Sequence, residues 1–85
     1  MSRPIVIHGE SFVTLATVAE CFHVQTAWVR AVYDAGLLGA GERVGDEVAI
    51  PSARMERVAL VERLHLHYGL DLASVELWIE RYEVG

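Results

Sequence analysis

Two stretches near the start of the chain place apolar residues at helical spacing. Leu15, Val18, Ala19 and Phe22 recur at i, i+3, i+4 and i+7, and Thr14 stands where a hydroxyl can cap the helix they define. His23 and Val24 make a turn, and a second helix is expected over about 26–35, with Val29 and Val32 facing inward. Gly36 supplies the left-handed residue that stops it. A longer helix is expected over about 52–68, opened by Pro51 and Ser52, with Arg57, Val58, Val61, Leu64, His65 and Tyr68 as its inner stripe. Gly69 ends that helix. Asp71 then caps a last one over about 72–83, whose inner face is Leu72, Val75, Ile79 and Tyr82.

Period-two patterning is scarcer. Residues 4–7 are short and β-branched and read as a brief edge strand ended by His8 and Gly9. Residues 39–51, GAGERVGDEVAIP, combine glycines and charges with the alternation Val48, Ala49, Ile50, as in a hairpin wing returning to the body. The expected fold is therefore mainly α, with about four helices and a small wing of two or three strands. It forms one domain over residues 1–85: a helix-turn-helix at about 14–38, a wing at about 39–51 and helices at about 52–83.

Composition narrows what such a fold can do. A domain of 85 residues has little room for a deep cleft, and 53% hydrophobic residues in so small a chain leave apolar side chains over for a partner. The formal charge is −5, and all the basic residues are arginine. Cys21 is alone, so no internal disulfide forms. Neither a leader nor a run of about twenty apolar residues is seen, so a cytoplasmic location away from membranes is the default expectation.

Catalytic and metal-binding patterns are missing. His65 and His67 are two residues apart, which on a helix points them to opposite sides and away from a shared ion. The serines and threonines sit in cap or turn contexts, with no nucleophile elbow, phosphate loop or spaced acid pair. An enzyme, a metal site and a bound cofactor are not expected. Two binding readings remain. If the second helix entered a DNA groove, Gln25, Ala27, Arg30, Tyr33 and Asp34 would meet the duplex, helped by Arg43 in the wing. The charge opposes this, since Glu20 and Asp34 flank Arg30 while Glu42, Asp46 and Glu47 accompany Arg43. For a protein partner, Met55, Ala59, Leu66 and Leu77 fall off the inner stripes of the long helices, with Glu62 and Glu76 beside them and Trp28 on the flank of the second helix. Single exposed apolar residues are ordinary on any protein, so these candidates matter only as a surface.

Over most of its length the chain resembles the MerR-type helix-turn-helix proteins, through Val18 and Ala19, the turn residue Val24, Val29 and Arg30, the Gly36, Leu37, Leu38 run, and Tyr68, Gly69, Leu70 before a capped helix. Ala31 and Val32 stand where an aromatic pair is usual, and no long dimerisation helix follows Ile79. More narrowly, it is similar to the CbpM-type chaperone modulators, through Phe12 to Leu15, Gly36 to Leu38, Arg63 and Leu64, and the junction Gly69, Leu70, Asp71, Leu72, Ala73. That resemblance implies a MerR-like winged fold and a non-enzymatic regulator that binds the J-domain of a DnaJ-like co-chaperone and restrains its action on Hsp70. Trp28, Met55, Glu62, Leu66, Glu76 and Leu77 are then the candidate contact residues. The alternative is a DNA-binding transcriptional regulator or recombination accessory factor using Gln25, Arg30 and Arg43.

Overall fold

The computed structural model describes residues 5–82. The chain opens with two strands, β1 (Ile5–Ile7) and β2 (Glu10–Thr14), paired antiparallel across His8 and Gly9. Both turn residues have positive φ, 52° and 81°, which is the two-residue turn whose twist matches that of the strands it joins. Helices α1 (Leu15–Phe22) and α2 (Thr26–Asp34) follow, then a second hairpin of β3 (Glu42–Val44) and β4 (Glu47–Pro51). Its turn is Gly45 and Asp46, with Gly45 at φ 62°. The last third is a 3₁₀ turn (Ser52–Arg54), α3 (Met55–Glu62), a π turn (Arg63–His67) and α4 (Leu72–Tyr82).

The two hairpins join into one four-stranded antiparallel sheet, ordered β1-β2-β4-β3, that curls into a half-barrel. At the seam Val13 pairs with Ile50, and Phe12 with Pro51. This overturns the expected mainly α, MerR-like winged helix-turn-helix with a small wing: the fold is mixed α/β. A wing is an appendage, whereas here β2, absent from the sequence expectation, ties residues 42–51 to the start of the chain. The sheet also buries side chains on both faces. Val13, Val48 and Ile50 pack with the helical core, while Phe12 and Ala49, on the alternate face, are buried too.

The predicted helix boundaries near the N-terminus hold closely. Thr14 caps α1, its Oγ1 accepting the Thr17 N–H at 3.1 Å. At the end of α1, His23 is left-handed at φ 56°, its N–H donating to Glu20 O and the Val24 N–H to Ala19 O. Gly36 ends α2 in the same way, with its N–H on Tyr33 O and the Leu37 N–H on Val32 O. Leu15, Val18, Ala19, Val29, Val32, Leu37 and Leu38 are buried in one cluster with Ile50, Val58, Val61, Leu64, Val75 and Ile79.

The long helix departs from expectation in its last turn. It is not α-helical throughout, because the Tyr68 N–H bonds to Arg63 O, five residues back. The wider turn carries Tyr68 out of the stripe that Val58, Val61 and Leu64 define, and leaves it 70% exposed. Leu70 packs against the core instead, its N–H reaching Leu64 O at 3.0 Å across left-handed Gly69. Tyr82, also expected inside, lies 65% exposed at the end of α4.

Candidate partner-binding surface

The side chains expected to read DNA do not form a basic surface. Gln25 is exposed as the residue before α2 and makes no side-chain cap. Arg30 Nε donates to Asp34 Oδ1 at 3.3 Å, one turn along an exposed face, so the single cation of the helix is paired internally. Tyr33, expected among the groove-facing residues, is half-buried, and its hydroxyl accepts the Gly41 N–H at 3.1 Å. Arg43 is exposed on the edge strand β3. The cleft between α2 and the second hairpin, about 220 Å³, has Leu15, Ala16, Ala27 and Val48 on its walls together with Arg30, Asp46 and Glu47.

Trp28 belongs more to the interior than to a surface. It packs against the core, half-buried, and stacks on His65 at 6.1 Å with 23° between the rings. Its indole Nε1 is buried without a hydrogen-bond partner among the described residues. His65 is fixed from the other side, because its Nδ1 lies 2.7 Å from Leu70 O and a carbonyl can only accept, so Nδ1 carries the proton. The pair thereby joins α2 to the turn between α3 and α4. Met55, also predicted as a contact residue, is half-buried against the core, and Ala59 is half-buried as well. The offset arises because a 3₁₀ turn precedes α3 and shifts the phase from that of a uniform helix starting at Ser52.

The remaining predicted contacts lie in the C-terminal third. Leu66 is 49% exposed and Leu77 66% exposed, and Glu76 is exposed on α4. Glu62 is half-buried and lines a separate depression with Ala59, Arg63, His67 and Tyr68. Beside Leu77 the fold makes an open groove of about 420 Å³ from Leu70, Ser74, Leu77, Trp78, Arg81 and Tyr82. Trp78 and Tyr82, four residues apart, stand with ring centroids 4.9 Å apart at 42°. Trp78, Leu70 and Tyr82 were absent from the sequence-based contact set. The signal was available for Trp78, which lies four residues before Tyr82 on one helix face, but not for Tyr82 or Leu70, whose positions depend on where α4 and the π turn end.

Asp71 holds α4 in place. Its Oδ1 accepts the Ser74 N–H at 2.8 Å, and that backbone hydrogen bond, with a further one from the Ser74 side chain, keeps its carboxyl below the usual aspartate value. Desolvation opposes this, and His65 nearby adds a lesser effect in the lowering direction. Among the described residues no group of three or more His, Cys, Asp or Glu is placed to hold a metal ion, and no helix is long and apolar enough to cross a membrane.

Compared with protein-family models, curated proteins and solved structures, the chain matches none.

Proposed function

We propose that this chain is a non-enzymatic regulator that binds the J-domain of a DnaJ-like co-chaperone and lowers J-stimulated Hsp70 ATPase. The observation that carries the protein-binding part is where apolar surface is left over. Of the five large apolar side chains that stand most exposed among the described residues, four, Leu66, Tyr68, Leu77 and Tyr82, fall in the last third of the chain. Leu77 and Tyr82 also line one groove with Leu70 and Trp78, and an apolar cluster of that kind marks a contact surface better than scattered single residues do. The choice of a J-domain rests on the resemblance at Gly69 to Ala73 and on charge sign. The Hsp70-facing surface of J-domains implied by that resemblance is basic, and a chain at −5 complements it. A cytoplasmic location goes with this reading. DNA recognition through Gln25, Arg30 and Arg43 has less support, since Arg30 is paired to Asp34 and carboxylates surround Arg43.

The test is calorimetry of a purified J-domain with this protein, alongside Hsp70 ATPase assays. Binding that weakens with added salt, and a fall in J-stimulated but not basal turnover, is expected. Absence of any complex at about 100 μM of each component, far above the concentrations at which regulatory pairs associate, overturns the proposal.

A further inference from the structure

We infer that the chain pairs weakly with a second copy of itself along the groove on α4, the two helices antiparallel, with Leu77 of each opposite Ser74 of the other and Arg81 of each on Asp71 of the other. This goes beyond the J-domain reading above: it takes Leu77 and Tyr82 into a contact between copies and leaves Leu66 and Tyr68 exposed for another partner.

The lining of the groove is the first argument. Ser74, Leu77 and Arg81 recur at i, i+3 and i+7 and form one stripe of α4, with Leu70 at its head and Trp78 and Tyr82 along one flank. A twofold axis crossing midway between Ser74 and Leu77 sets each residue of the stripe opposite another of it, as a contact made by one patch on both copies requires. The large Leu77, 66% exposed, then faces the small, half-buried Ser74 of the other copy, and Tyr82 faces Leu70. A large side chain over a small one lets two helices approach closely enough to pack. Trp78 packs on the core and stands against Tyr82 at 4.9 Å, so the aromatic flank is already ordered before pairing.

Charge fixes the direction. Asp71 and Arg81 are both exposed, stand at opposite ends of the stripe, and belong to no ion pair among the described residues. Antiparallel pairing brings Arg81 of each copy level with Asp71 of the other, to within about one residue's rise of 1.5 Å, and makes two equivalent ion pairs; parallel pairing would set like charge on like. The helix dipoles agree, since each N-terminus then lies beside the other's C-terminus. Glu76 and Glu80 stay outside the contact, because at about 100° per residue they lie about 120–160° round α4 from Ser74. The repulsion between two chains at −5 is spread over their surfaces and screened beyond about 8 Å at physiological salt. One three-turn helix per copy is a small interface, below about 1,200 Å² in total, so the dimer forms at about 10–100 μM and the chain is monomeric at the lower concentrations of fluorescence work.

Sedimentation equilibrium of the full chain from about 5 to 500 μM is expected to show the mass rising from 9.4 kDa toward twice that value. Leu77→Glu is expected to abolish the rise. Arg81→Glu and Asp71→Arg, each alone, put like charges together and are expected to weaken pairing by about tenfold or more, whereas an equimolar mixture of the two restores both ion pairs and with them the dimer. Asp71→Arg also removes the cap of α4, so Asp71→Asn, which keeps a capping side chain and loses only the charge, is run beside it and is expected to weaken pairing several-fold. Thermal melts will show that each variant folds. A chain that stays at 9.4 kDa throughout, a dimer indifferent to Leu77→Glu, or a mixture of folded variants that pairs no better than its components would each overturn the inference. Failure of the two readings is separable. A J-domain complex with a chain that stays monomeric removes the α4 dimer and keeps the proposed function, whereas an α4 dimer with no J-domain complex does the reverse.

Discussion

Ile79 and Leu77 lie two residues apart on α4, and replacing each by alanine removes the same number of carbon atoms. Their environments differ: Ile79 is 8% exposed in the core cluster, and Leu77 is 66% exposed. At about 0.8 kcal/mol per buried methyl or methylene group, Ile79→Ala forfeits about 2.4 kcal/mol of transfer energy. A cavity that the neighbouring Val75 and the rest of the cluster only partly fill adds to this, giving roughly 2.5–4 kcal/mol. Leu77→Ala forfeits only the buried third of the same transfer energy, about 0.8 kcal/mol, and opens no cavity because its site faces solvent. Urea titration followed by tryptophan fluorescence gives both values, with half-buried Trp28 and Trp78 as reporters. Equal losses at the two positions would refute the reasoning, since Leu77 would then be covered in the free protein and the α4 groove would not be an open surface.

Three further outcomes follow from local geometry. Gly41→Ala should destabilise by about 1–3 kcal/mol in the same titration, because a Cβ there would lie 2.6 Å from the backbone oxygen of Ala49 and the hairpin must shift to admit it. His23→Gly should stabilise by roughly 0.5 kcal/mol: relief of a left-handed non-glycine residue, about 1–2 kcal/mol, exceeds the added freedom of glycine in the unfolded chain. Asp71 has a folded-state pKa below its unfolded value, so its contribution is fully present above the ordinary aspartate pKa and is lost as pH falls through the lowered one. Asp71→Asn should therefore narrow the stability difference between neutral and acidic pH, measured as thermal midpoints in the two buffers.

The sequence by itself determined α1, α2 and α4 and the glycine stops. Apolar spacing at Leu15, Val18 and Ala19, the cap at Thr14 and the glycines at Gly36 and Gly69 are local signals, because a helix closes its hydrogen bonds within a few residues of itself. The exposed character of Leu66, Leu77 and Glu76 was legible for the same reason. The sheet was not, even though His8 and Gly9 between two β-branched runs is a hairpin signal. A strand's partner lies elsewhere in the chain, and the pairing of β2 with β4 brings together residues separated by two helices. Only the tertiary structure decided that residues 42–51 complete a half-barrel instead of hanging as a wing. It likewise decided the fates of Tyr68 and Leu70, since one widened turn, invisible in the 3.6-residue period, rotates the first outward and lets the second pack inward. The groove on α4 follows from that turn, because Leu70 at its head is placed by the end of one helix and Trp78 and Tyr82 by the course of the next.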